Sequence, residues 1–222
     1  MASKPMESLA QQLGFAATDR VAIVHADDIG MCHAANVGAF DALANGVVSC
    51  GSIMVPCPWF REAADLARAN PHLDLGVHLT LNAEWPSYRW GPVAGRDRVP
   101  SLLDEQGYLP RTLLEVLRAA KPEHVEIELR AQIETALAAG IDVTHLDSHM
   151  GTVLLDPFVG IYAKLAQEYR LPVFAAHPDP DVLERAGLGA FVEVMRRGAE
   201  HITAAGLPIL DGVELFSLDF EA

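Results

Sequence analysis

Three short stretches of the chain concentrate residues able to hold a metal or move a proton: Asp27-Asp28, His78 with Gly76 two places before it, and His145-Leu-Asp147-Ser-His149. Two adjacent carboxylates at the end of an apolar run are costly to desolvate, and each raises the other's pKa. A divalent cation resolves that conflict, leaving one carboxylate as ligand and its neighbour as acid or base. The alternative use of the pair is a helix cap, with Asp28 bonding the first turn of a following helix. His78 sits in the apolar run Leu-Gly-Val-His-Leu-Thr-Leu, where it is either a hydrogen-bonded core histidine or a ligand. In an extended strand, residues 145, 147 and 149 share one face. That sets two imidazoles and a carboxylate in a row, a common ligand set for a catalytic metal that keeps positions open for water. Summed over the three stretches, a metal site explains more than three separate structural roles.

The other polar candidates carry less. His25 and His177 lie near the ends of expected strands, whereas His33, His72, His124 and His201 lie on or beside expected helices and read as surface residues. Trp85, Tyr88 and Trp90 fall together in one loop, to anchor it or to stack on a sugar ring. There is no Ser-His-Asp order, no G-x-S-x-G elbow and no phosphate-binding glycine loop.

The elements that must position these residues follow from hydrophobic patterning. Residues 20–26 form a continuous apolar run, the mark of a strand buried on both faces in a parallel sheet. Further strands are expected over 47–55, 73–81, 141–146, 171–175 and 207–211. Helices are expected over 34–45, 58–69, 122–139, 157–169 and 181–205, with Pro122 suited to a first turn and Gly140 to an end. Residues 82–111 show no sustained period; a loop of that length in a compact domain is usually functional or mobile. Alternation of strand and helix implies a parallel sheet. The expected fold is α/β: a single-domain distorted (β/α) barrel of the TIM-barrel kind, spanning 20–222 after a lead over 1–19. Its last legible strand is at 207–211, so a final unit is expected to be missing. In such a fold the C-terminal strand ends face one side, which brings the three stretches together.

Bulk properties narrow the partners. The chain has 222 residues, half of them hydrophobic, with a formal charge of −14. An acidic surface is a poor match for nucleic acid or an anionic membrane, while a neutral sugar is not repelled. Cys32, Cys50 and Cys57 form no C-x-x-C pair, which argues against a disulfide framework or a thiolate zinc site and for a reducing compartment. Neither a signal peptide nor a membrane span is visible, so a cytoplasmic protein is expected.

The motifs resemble those of the YdjC-like (ChbG/HpnK-type) carbohydrate deacetylases. The matching stretches are Val24-His-Ala-Asp-Asp-Ile-Gly30, Asn45-Gly-Val-Val-Ser with Ser52-Ile-Met54, Leu75-Gly-Val-His-Leu-Thr80, Pro100-Ser-Leu-Leu-Asp with Gly107, and Thr144-His-Leu-Asp-Ser-His149. They occur in the family's order and spacing. The resemblance implies a distorted (β/α) barrel that hydrolyses an acetamido group on a sugar. It implies one divalent metal ion held by Asp28, His78 and His149, with Asp27 as the base. Magnesium is the usual family assignment, but two histidines and a carboxylate suit zinc equally. Where family members often continue with further histidines, this chain reads His149-Met150-Gly151-Thr152. The acid must then come from elsewhere, with His145 and His177 as candidates. The same ligand set also suits another metal-dependent barrel hydrolase of amides or phosphoesters, or a non-catalytic sugar- or metal-binding member. A homodimer is left open.

Overall fold

Four parallel strands lie side by side in the order in which they occur along the chain. The computed structural model describes residues 8–185, 187 and 189–213. Its elements are α1 (Leu9–Gln12), β1 (His25–Ile29), α2 (His33–Asn45), β2 (Cys50–Ile53), α3 (Phe60–Ala69), β3 (Leu75–Leu79), α4 (Leu113–Ala119), α5 (Pro122–Ala138), β4 (Val143–Ser148), α6 (Val159–Tyr169), α7 (Pro180–Arg185) and α8 (Val192–Ala204), joined by short 3-10 turns. No described helix is long and apolar enough to cross a membrane.

Strand alternation divides the sheet into two chemically different faces. Leu75, Val77 and Leu79 are buried and belong to the face that the helices cover. Gly51 lies on that face too, where an added Cβ would reach Leu43 of α2. The opposite face carries Cys50, Ser52, Gly76, His78, His145 and Asp147. Neighbouring strands are about 4.8 Å apart, so a flat sheet would separate β1 from β4 by about 14 Å. Yet His25 Nε2 of β1 lies 3.3 Å from His145 Nε2 of β4, and the His25 ring packs on Phe174 at 5.9 Å between centroids. The sheet therefore curls, with its polar face on the concave side.

This curl does not close into a barrel among the described residues. The strands expected at 171–175 and 207–211 are reduced to single parallel bridges, Leu146 with Val173 and Ala176 with Leu210. The first strand starts at His25 rather than at 20. Val21 and Ile23 are 50% and 54% exposed, because β1 is an edge strand with nothing described on its outer side. The helix expected over 181–205 is broken into α7 and α8 by the turn at Gly187, whose φ is +71°, followed by a 3-10 turn at Gly189–Phe191. Glycine adopts that left-handed backbone without steric cost. Helix α4 was not legible from periodicity, although its capping box was present: the Thr112 hydroxyl accepts from Glu115 N, and the Glu115 carboxylate accepts from Thr112 N.

The segment between β3 and α4 has almost no regular structure but is firmly anchored. Trp90 is 2% exposed and donates its indole N–H to Asn82 O. Fully buried Glu128 of α5 accepts from Val93 N, Ala94 N and Gln132 Nε2. Gln132 in turn satisfies both Thr80 N and Thr80 O just past β3, taking the place of a neighbouring strand. Burial raises the Glu128 pKa against the pull of these hydrogen bonds. Glu128→Ala leaves two part-buried backbone amides, Val93 N and Ala94 N, without their acceptor, each worth about 1–3 kcal/mol. A drop in urea midpoint equivalent to about 2–4 kcal/mol is expected, with proteolysis appearing first within 82–111.

Candidate metal centre

The turn that ends β1 aims the first ligand. Asp28 has a φ of +58°, unusual for a residue with a side chain, and Gly30 follows at +94°. Buried Asn36 of α2 holds the turn from below: its Oδ1 accepts from Gly30 N at 2.6 Å, and its Nδ2 donates to Glu62 and to Trp59 O. Glycine suits position 30, since the backbone is left-handed there and an added Cβ would lie 3.0 Å from Met54 O. Asp28 does not cap the following helix. The side chain of Cys32 does, accepting from Ala35 N.

Asp28 Oδ1 then lies 3.0 Å from His149 Nδ1 and 3.4 Å from His78 Nε2, and these two nitrogens are 3.3 Å apart. Ligands about 2.1 Å from one ion sit about 3.0–3.4 Å from each other in octahedral or tetrahedral geometry. The triangle has the dimensions of three ligands on one metal. Each imidazole is also held from behind. His78 Nδ1–H donates to Asp147 Oδ1 at 2.7 Å, and Ser52 Oγ donates to Asp147 Oδ2 at 2.7 Å. His149 Nε2–H donates to Glu84 Oε2 at 3.0 Å. Carboxylates placed in this way select the tautomer that turns a lone pair toward a metal.

The electrostatics match. Burial alone would push the Asp28 carboxyl up, but hydrogen bonds from His149 and His78 hold it well below the usual range. Burial disfavours a charged His78, yet Asp147 and Asp28 outweigh it and push its pKa up to about 10. His149 is raised too, with Asp28 and Glu84 overcoming its burial. Three carboxylates thus converge on two imidazoles, and the centre carries an excess of negative charge that a divalent cation would neutralise. The donor set fits such an ion.

The expected row of 145, 147 and 149 is only partly realised. Strand β4 ends at Ser148, and His149 opens a 3-10 turn with Met150 and Gly151 at positive φ. His149 thereby swings to the strand ends beside Asp28. Asp147 stays on β4 and orients His78, and His145 turns the other way, toward His25. Asp27 is exposed beside Asp28 and acts electrostatically on His25. His177 is also exposed; its backbone N–H donates to Leu210 O, and no hydrogen bond or ion pair joins it to the three ligands. Away from the centre, His33 pairs with Glu62, His124 with Ser101, and His201 with Arg197 O. Sequence reading missed Glu84. Its signal was faint: it is the lone acidic residue between Asp74 and Asp97, just beyond a strand end.

Residues 21–217 match the sequence profile of the family described as YdjC-like protein. The chain belongs to this family. It is 42% identical over 169 residues to the carbohydrate deacetylase of Thermus thermophilus, covering 76% of this chain and 57% of that one. Against the carbohydrate deacetylase of Brevibacillus brevis it is 40% identical over 151 residues, covering 68% and 57%. A solved structure from Enterococcus faecalis V583, carrying the name cellobiose-phosphate cleavage protein, superposes with a TM-score of 0.64 at 32% identity, covering 77% of this chain and 64% of that one. The chain thus spans under two thirds of the length of these relatives.

Loss of a carboxylate behind a metal-bound histidine typically weakens binding about 10- to 100-fold. Asp147→Asn is expected to weaken zinc binding at this centre by that factor, as measured by isothermal titration calorimetry, with the far-ultraviolet circular dichroism unchanged.

Proposed function

We propose that this YdjC-family chain is a metal-dependent deacetylase that removes the acetyl group from an N-acetylated sugar. The observation that carries the reading is the triangle formed by Asp28, His78 and His149. The names of the relatives supply the substrate class, and the acidic surface is compatible with a neutral sugar. In this reading Asp28, His78 and His149 hold one divalent ion, of the zinc or magnesium class. When bound, the ion supplies Lewis-acid polarisation and a counter-charge for the oxyanion.

The chain's own groups do the rest. Asp27, exposed beside the ligand Asp28, takes the proton from the attacking water. Asp147 and Glu84 keep the two imidazoles fixed, so that the ligand triangle does not reorganise during turnover. Of the two histidines considered as the acid, His145 faces His25 and lies two residues further down β4 than Asp147. His177, exposed just beyond the Ala176–Leu210 bridge, is assigned to protonate the departing amine, which leaves poorly without a proton. Among the loop aromatics, Trp90 is consumed by anchoring and the Tyr88 hydroxyl by a bond to Met31 O. Trp85, adjacent to Glu84 and 51% exposed, is left to stack on a sugar face.

Acetate release from N-acetylated sugars, assayed alongside elemental analysis, tests the reading. His78→Ala and His149→Ala are each expected to lose one equivalent of metal and all turnover. Asp27→Asn is expected to keep that metal and lose about 10²- to 10⁴-fold in rate, the usual worth of a general base. Asp27→Asn turnover within a few-fold of the parent, with metal retained, removes Asp27 from its role. Metal bound without acetate release from any sugar points instead to an amide or phosphoester substrate, or to a binding protein.

A further inference from the structure

The concave face of the sheet holds a second cluster of metal-ligating groups, below the first and separate from it. His25 opens β1, Cys50 opens β2, and the two are register partners on adjacent parallel strands. His145 comes from β4, on the far side of β3. It reaches the other two because β3 carries glycine at the crossing point: a Cβ on Gly76 would lie 2.6 Å from His145 Cδ2 and Nε2. One ligand atom from each of His25, Cys50 and His145 lies within 4.8 Å of the other two. The two Nε2 atoms face one another at 3.3 Å with the rings crossed at 73°.

We propose that His25, Cys50 and His145 form a second cation site, for a thiophilic divalent metal of the zinc class. Two imidazoles and a thiolate are a soft to borderline donor set, unlike the carboxylate-containing centre above. In tetrahedral zinc, donors bonded at about 2.0–2.3 Å stand about 3.3–3.8 Å apart. The nitrogen pair is already at that spacing, and the sulfur is within about 1 Å of it. The far nitrogen of His145 is held as a ligand's should be: Nδ1 lies 2.9 Å from Thr144 Oγ1 and 3.4 Å from Asp74 Oδ1. The two sites meet at Asp147, whose Oδ1 accepts from His78 while its Oδ2 lies 3.5 Å from His25 Nε2. A metal here ties edge strand β1 and β2 to β4 across β3 and so fastens the curl of the sheet, with the fourth tetrahedral position left to a solvent ligand.

Cobalt(II) titration of the full chain separates this site from the first, because only a thiolate gives an intense sulfur-to-cobalt charge-transfer band in the near ultraviolet. The expected result is such a band in the parent and in His78→Ala, with loss of the band in Cys50→Ser and in His25→Asn. It should remain in Cys57→Ala, which removes a thiol that contacts Met54 instead. Zinc should raise the melting temperature of His78→Ala but not that of the Cys50→Ser, His78→Ala double variant. Far-ultraviolet circular dichroism verifies folding, and His25→Asn gives an answer if Cys50→Ser does not fold. No charge-transfer band in the parent, or a band that survives in both Cys50→Ser and His25→Asn, overturns the proposal and reduces the cluster to a His25–His145 hydrogen bond. Neither outcome touches the Asp28 centre, whose failure would show instead as an unchanged metal count in His78→Ala.

Discussion

Asp147 is the residue on which the arrangement of the concave face depends. It is 4% exposed, and an isolated carboxylate so deeply buried would cost several kcal/mol. Burial pushes its pKa up, but the charge and hydrogen bond of His78, then His25 and Ser52, hold it down and keep it ionised. One oxygen fixes His78 and the other collects Ser52 and, at longer range, His25. Four strands thereby contribute to one polar cluster: His25 from β1, Ser52 from β2, His78 from β3 and Asp147 from β4. Because each partner satisfies another, none of these groups can be exchanged for an apolar residue without orphaning its neighbour.

The curl of the sheet is the second requirement, and it comes from small residues as much as from bonds. Gly76 lets the His145 ring lie across β3, and Gly30 lets the turn after Asp28 pass beneath Met54 O. The helix-facing side is filled by Leu75, Val77, Leu79 and Ile53, all buried, so helices press on the convex face while the concave face carries polar groups. Such a division places His78 and Asp147 on strands of the parallel sheet and Asp28 and His149 at strand ends beside them. At the Asp28 centre the loop residue behind His149, Glu84, is secured by the anchoring of its loop through Trp90 and Glu128.

The left-handed backbone at Asp28 and at Met150 frames the ligand triangle on both sides. Non-glycine residues seldom adopt this conformation, and it is held only where the surroundings over-determine it. At Asp28 the determinants are Asn36 beneath the turn and the two imidazoles in front. The positive-φ pair Met150-Gly151 turns the chain away immediately after His149.

Periodicity placed β2, β3, β4 and the helices from 33 to 169, apart from the short α4, within a few residues, and set β1 too early along the chain. Strand-end reasoning brought the three stretches to one side, and the resemblance to the YdjC-like family supplied Asp28, His78 and His149 as the ligand candidates; the structure places these three side chains together. Those features were legible because they rest on local rules: continuous apolar runs for buried parallel strands, and the common side on which their C-terminal ends emerge. Glu84 behind His149, Asp147 as the orienting partner of His78 rather than a ligand in a row, and the turning of His145 toward His25 were not legible. Each depends on contacts between residues about 65 to 120 positions apart, and on where a strand stops within a single residue. The extent of sheet closure was also beyond local reading. A strand and an isolated bridge share the same apolar run, and only the partner that packs beside it decides between them.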